Sequence, residues 1–424
     1  MKEDFLHYVW KYLRFDLTDL HTTEGLPIQI INNGLYLQES GPDFFNAKIQ
    51  IGDQLWAGNV EVHVYASDWY AHHHQDDIAY QNVILHVVWE NDCTVMRSAN
   101  ESIPTLELKP RIAPELIDKY LKKIIVHSEL PCKNQLSTVS IEKIHWFQEE
   151  LLIKRLNEKC STIAQKLAQN TNYWESAFIQ LLAKNFGTKV NGAAFEATLQ
   201  SIPYAILQKL RHDINQLEAV LFGQSNILPE PPQDAYTRKL SGTYLYLKHK
   251  FQLNPTTIRM EFFKLRPDNF PSIRMSQFAQ LIAKYDSLFF EMLSIHTHDE
   301  LIKFFHTKAN DYWNNHFVFD KPAQREKEKK TSKAFIELIL INTVLPFQYA
   351  YYKDRNADVL DRVVGIYHEI AFEDNAITKK YDSRFFRKQS AADSQSLLYL
   401  NRYFCQDKKC LHCTIGTTIL NKHD

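Results

Sequence analysis

The residues best suited to chemistry crowd into one stretch, Gly41 to Trp89, which reads GPDFFNAKIQIGDQLWAGNVEVHVYASDWYAHHHQDDIAYQNVILHVVW. Asp43 follows Gly41-Pro42 at the head of one predicted strand, and Glu61 lies in the middle of another. Two carboxylates meeting at one sheet edge suit a hard divalent cation, Mg2+ or Mn2+, that keeps several waters. Such an ion can activate water against a phosphoryl group. His63, His72, His73, His74, Asp76, Asp77 and His86 share the stretch. Imidazoles with a carboxylate nearby are the donors of a transition-metal site, so His72, His74, Asp77 and His86 form a second candidate set. Each residue also has an ordinary structural account. Asp43 can cap a turn, Glu61 can line the wet face of a half-buried strand, and His86 can be a core histidine bonded to backbone.

A third set closes the sequence. Cys405-x4-Cys410-x2-Cys413 suggests a thiolate site for Zn2+ or an iron–sulfur group. The fourth ligand is Cys132 by first choice, His412 or His423 by second, and Cys160 by third. A Cys132 ligand would pin the end of the chain to the start of its helical region. Two further stretches interleave base and aromatic: Arg266 to Arg274 (RPDNFPSIR), and Lys379 to Lys388, which contains Arg384 and Arg387. These four arginines are candidate contacts to the phosphates of DNA or RNA.

The elements that must position these groups follow from periodicity. Phe5, Val9, Tyr12 and Leu13 recur at helical spacing and predict an N-terminal helix. IQIIN, Asn32-Asn33-Gly34 and LYLQ predict a hairpin. A turn at Gly52-Asp53 joins two more strands. In NVEVHVY, Val60, Val62 and Val64 face one way while Glu61, His63 and Tyr65 face the other. Ser67 to Tyr80 reads as a loop with a short helix. NVILHVVW is nearly all apolar, as a central buried strand is. After about Pro114, helical periods dominate, broken by the Pro-rich segment Asn226 to Gln233. The expected architecture is α+β: a mixed-sheet domain with a restriction-endonuclease-like α/β core over 1–112, then helical domains over 113–228 and 234–424, the last carrying the cysteines.

Composition bounds the function. The 424 residues are 45% hydrophobic with a formal net charge of −1, so any nucleic-acid surface must be a local patch. Eleven glycines and no GxGxxG or GxxxxGKS run argue against a phosphate-cradling loop. No uninterrupted apolar run reaches membrane-spanning length. No apolar signal core opens the chain, and six cysteines do not make a disulfide scaffold, so the reducing cytoplasm is expected.

Two resemblances add to this. Pro42-Asp43, a spacer and Glu61-Val62-His63 resemble the PD and (D/E)-x-K signature of the PD-(D/E)XK nuclease superfamily, with His63 in place of the lysine. His72 or His74, Asp77 and the strand Val83–Val88 resemble the continuation found in compact members. The resemblance implies one more acid from an earlier helix, for which Glu24 is the candidate. It implies a catalytic set of Asp43, Glu61, His63 and Glu24, with Mg2+ or Mn2+ on the first two. Over nearly its whole length the chain also resembles the domain-of-unknown-function family 2851, through GPDFFNAKIQI, GNVEVHVYASDWYAHHHQDD, NVILHVVW, RPDNFPSIR, INTVLPF and the cysteine end. That family carries no assigned activity. The expected function is a metal-dependent phosphodiesterase or nuclease with a helical accessory region. The alternatives are a non-catalytic nucleic-acid-binding or scaffold protein on a degenerate nuclease fold, and a metallohydrolase built on the histidines.

Overall fold

One mixed sheet carries Asp43, Glu61 and the histidines. The computed structural model describes residues 1–36, 41–98, 101–123, 130–355 and 358–421. Its N-terminal strands are β1 (Ile28–Asn32), β2 (Leu35–Tyr36), β3 (Phe44–Ile51), β4 (Gln54–Tyr65), β5 (Val83–Glu90), β6 (Met96–Ser98), β7 (Glu101–Ser102) and β8 (Thr105–Glu107). The sheet runs β1-β3-β4-β5-β8, with β2 beside β3, while β6 and β7 form a separate hairpin. β1, β3 and β4 are antiparallel neighbours; β4, β5 and β8 are parallel. The α+β expectation holds.

The β3–β4 turn is tight, Ile51 facing Gln54, and needs Gly52 at φ +60. The expected β1–β2 hairpin does not form. Both strands pair with β3, Ile28 facing Ile51 and Tyr36 facing Phe44, so Asn33-Gly34 is a jog along one edge. Asn32 Oδ1 accepts the Gly34 N–H across it. Leu37 and Gln38, the rest of that predicted strand, lie outside the described residues, as do the last two residues of the helix expected up to Ile125.

Helix α1 (Glu3–Lys11) covers one face of the sheet. Its Phe5, Leu6, Val9 and Trp10 join Phe44, Val60, Val62, Leu85 and Val87, all fully buried. Burying each such side chain contributes about 1.5–3 kcal/mol. Glu3 and Asp4 occupy its first turn, where the helix dipole favours acids. The other face is closed by the crossover between β4 and β5, because parallel neighbours cannot be joined by a tight turn. That crossover contains α2 (Asp68–Ala71) and puts Trp69 and Tyr80 against Val83, Val88, Val95 and Ile103. α3 (Pro114–Lys123) follows β8.

The chain forms two compact units, not three consecutive domains. The first is 1–147 with 380–386 and 398–424; the second is 148–379 with 387–397. The tail returns to the first unit because Leu411 and Leu420 belong to the α1–sheet core. The second unit is helical, with most of α4 (Ile141–Gln169) and then α5 (Trp174–Phe186), α6 (Thr188–Gln200), α7 (Tyr204–Leu210), α8 (Ile214–Gln224), α9 (Ala235–Phe251) and α10 (Pro271–Lys284). The Pro-rich segment lies inside it and is tied down, Asn226 donating to Thr256 O and Gln233 N–H to Asp320. The apolar run Lys333–Tyr352 has the length and composition of a membrane span, but 61% of its most apolar 18-residue window is buried. Its Phe335, Ile336, Ile339, Val344 and Phe347 lie in the core of the second unit.

Candidate metal centre

Three local features bring the acids and imidazoles together. The first is a bulge. Phe44 faces Val60 but Ala47 faces Gly58, so β3 carries an extra residue, with Asn46 at φ +58. A bulge bends its strand and re-aims what precedes it. Asp43 is thereby folded onto β4: Val62 N–H donates to its Oδ2 (3.0 Å), and its own N–H donates to Glu61 Oε2 (3.1 Å). The second is strand register. Glu61 and His63 alternate away from the α1 core, and the parallel register sets His86 beside Glu61. The third is the crossover, which turns at His73 (φ 60) and carries His72 and His74 back over β4.

The result is a cluster around His63 that runs from the buried His86 and Glu61 out to the half-buried His74 and the exposed His72. Its Nδ1 lies 2.8 Å from His86 Nε2, and its Nε2 lies 3.2 Å from His72 Nδ1. Glu61 Oε1 is 3.6 Å from His63 Nε2 and 3.3 Å from His74 Nε2. The ligand nitrogens of His63, His72 and His74 all fall within 4.8 Å of one another, the sole such His/Cys/Asp/Glu triad among the described residues. Tyr80 stacks on His74 at 3.8 Å, and the Trp69 edge meets both His74 and His86. Aromatic packing thus fixes the rings.

Electrostatics favour the neutral form of His63, His74 and His86. Burial, with the neighbouring imidazoles adding to it, pushes His63 down to about 2; burial takes His86 to about 3 and lowers His74. Neutral imidazole is the form that binds metal. In the tautomer whose Nδ1–H donates to His86, His63 presents its Nε2 lone pair to the cluster. Burial, and then the Asp43 charge, push Glu61 up to about 9. A cation between the groups would relieve both costs. The three imidazoles can hold one ion among them, with Glu61 Oε1 beside His63 and His74.

Two groups that the motifs did not point to complete the site, both from α1. His7 Nε2 lies 3.0 Å from Asp43 Oδ2, and Glu3 Oε1 lies 4.0 Å from His63 Nε2. Burial pulls His7 down, but the Asp43 carboxylate, with Glu3 and Asp4, more than offsets it. Burial raises Glu3. Glu24, expected as the helix-borne acid, sits instead in a turn and accepts from Ser102 Oγ. The predicted helix was the signal for Glu3 and His7, since i and i+4 share one face. Asp77 caps the turn Ile78–Tyr80, accepting the Ala79 N–H.

The other expected contacts are dispersed. Arg274 is buried, donating to Gln277 and Asn269 with its guanidinium 3.4 Å from the Phe335 ring. Arg384 is held by Asp382, and Arg387 by Glu149 and Asp393. Arg274 is thus enclosed, whereas Arg384 keeps its ion pair at the surface and Arg387 is partly exposed. Arg266 is exposed, within a larger set. Residues 235–266 hold seven Lys or Arg (238, 239, 248, 250, 259, 264 and 266) against one Glu. None of the seven is ion-paired among the described residues, and Tyr246 and Phe263 are exposed beside them. Lys250 lies over the Tyr246 ring and Lys264 over Phe263.

Cys132, Cys405, Cys410 and Cys413 stand together elsewhere in the first unit. Cys160 is on α4 in the second, and His412 reaches Asp4 and stacks on Tyr36. His423 lies outside the described residues.

No curated protein and no solved structure matches this chain. One family does, over residues 3–376, a match that takes in the whole β-sheet site and stops short of Cys405. The chain therefore belongs to DUF2851, a family described as protein of unknown function.

Proposed function

We propose that this protein is a metal-dependent phosphodiester hydrolase acting on nucleic acid, with its centre at Glu61, His63, His72 and His74. The observation that carries the reading is the meeting of Glu61 Oε1 with His74 Nε2 (3.3 Å) and His63 Nε2 (3.6 Å), beside the Asp43 carboxylate. Three imidazoles and a carboxylate favour a first-row transition ion such as Mn2+, Fe2+ or Zn2+ over Mg2+. Bound there, the ion would generate a hydroxide-like nucleophile and stabilise charge on a phosphoryl oxygen. His63 then serves as a ligand, which explains why a lysine is not needed at that position. Asp43, Glu3 and His7 lie beside these residues and could orient a water that such an ion would hold.

The order of parts supports phosphodiester chemistry. An acid on an earlier helix, Asp43 before one strand, Glu61-x-His63 on the next, and then a histidine, an aspartate and an apolar strand are what the PD-(D/E)XK resemblance implies. That support is by analogy of arrangement. The seven unpaired cations of residues 235–266 support a polyanionic substrate.

The test is cleavage of single- and double-stranded DNA and RNA by metal-free protein reloaded with Mn2+, Fe2+ or Zn2+. Expected is activity with at least one of these ions, reduced in Glu61→Gln and in His72→Ala/His74→Ala by more than the roughly 10–100-fold that loss of a ligand's outer-shell partner costs. Absence of cleavage with every ion, or full activity in both variants, overturns the reading.

A further inference from the structure

Four of the six cysteines come from three separate stretches, yet gather in one place in the first unit. Cys132 precedes the turn Lys133–Thr138; Cys405 ends the turn Asn401–Cys405; Cys410 and Cys413 flank one more turn. The C-terminal helix Thr414–Asn421 packs on both the Lys133–Thr138 turn and the Cys410–His412 turn. It thereby ties the early cysteine to the late ones. Cys93 and Cys160 take no part.

The surroundings are those of sulfur ligands. The Cys410-x2-Cys413 loop is closed by the Cys413 N–H donating to Cys410 O (3.2 Å). The amides of Ile415 and Gly416 donate to the Cys413 sulfur. Gly416 is required there, because a Cβ would stand 2.1 Å from Cys410 O. Tyr381 Oη donates to Cys405 Sγ (3.4 Å). Amide and hydroxyl donors to sulfur stabilise thiolate and orient it, as the outer shell of a metal site does. All four are reduced, and Cys410 and Cys413 are buried.

We propose that Cys132, Cys405, Cys410 and Cys413 form a closed four-thiolate site for a structural zinc ion, which staples the chain's end to the first unit. Zinc–sulfur bonds of about 2.3 Å would draw the sulfurs closer than they stand here, since only the histidine triad has its ligand atoms within 4.8 Å of one another. The site is independent of the hydrolase reading.

The experiment measures metal content and Co2+ spectra on the full chain carrying His72→Ala/His74→Ala, which removes the histidine site from the count. Expected is one zinc per chain, exchangeable for Co2+ with thiolate-to-cobalt charge transfer. Cys132→Ser and Cys413→Ser should lower zinc affinity at least 10-fold. Cys132→His, which keeps a ligand, should retain zinc, and so should Cys93→Ser. No bound zinc, zinc unchanged in both serine variants, or iron with visible sulfide-to-iron absorption in its place overturns the proposal.

Discussion

His86 touches no carboxylate, yet it decides which way His63 faces. Their 2.8 Å contact links His63 Nδ1 to a ring that is itself completely buried. Removing such an orienting partner usually costs 10–100-fold in metal affinity while leaving every ligand in place. His86→Phe is therefore expected to weaken Mn2+ or Zn2+ binding by about that factor, read by competition with a chromophoric chelator. Unchanged affinity would mean that packing alone holds the ring. A second residue-scale prediction concerns stability. Glu218 is fully buried in the second unit and accepts from Tyr236, Ser276 and Asn310. Burial outweighs these bonds and raises it from 4.5 to about 7. The folded chain then keeps a proton that the unfolded chain releases, so stability is full below about pH 4.5 and is lost as pH rises toward 7. The loss is on the order of 3 kcal/mol. Denaturant melts across that window should show the slope, and Glu218→Gln should flatten it; an equal slope in the variant would assign the effect to other groups.

At the scale of elements, the sheet was legible and its edges were not. Strict alternation in NVEVHVY identified the Glu61/His63 face, and the apolar run 82–89 identified the central strand, because burial on one or both faces writes itself into residue type. The bulge at Phe45-Asn46 left no such mark, although it is what delivers Asp43 to Glu61. Asn33-Gly34 looked like a hairpin because turn chemistry is local, whereas partner choice is not. Glu3 and His7 carry no motif of their own, since a helix face is matched to its sheet only by packing. The basic stretch 235–266 forms no compact motif, because its cations are spread along a helix and loop, whereas the compact RPDNFPSIR motif contains Arg274, which is buried. This stretch carries its own prediction. Lys248→Glu/Lys250→Glu/Lys264→Glu should weaken binding to single-stranded nucleic acid. It should also reduce the slope of log affinity against log salt by about 2, if each lysine meets one phosphate. Anisotropy titrations over a salt series measure both; an unchanged slope would remove this surface from the substrate path.

For the whole molecule, the decisive fact is where the chain ends up. Its last described residues belong to the first unit, with Leu411 and Leu420 in the core that α1 completes. Tyr8 Oη donates to Asn421, and His412 reaches Asp4 at 3.8 Å. α1 is thus held between the sheet and the tail, and it is α1 that brings Glu3 and His7 to the metal centre. If zinc fixes the tail through Cys132, losing it should free α1 without dismantling the helical unit, because cooperative units open separately. Hydrogen exchange on Cys132→Ser, or on protein stripped of zinc, is expected to show faster exchange across residues 3–11 and 414–421 and unchanged protection in α5 and α10. Nuclease turnover should fall while metal binding by His63, His72 and His74 persists, since those ligands sit on β4 and the crossover. Equal deprotection of both units would mean a global loss of stability instead. Unaltered exchange in α1 would mean that the sheet alone positions the helix and that the staple serves only the tail.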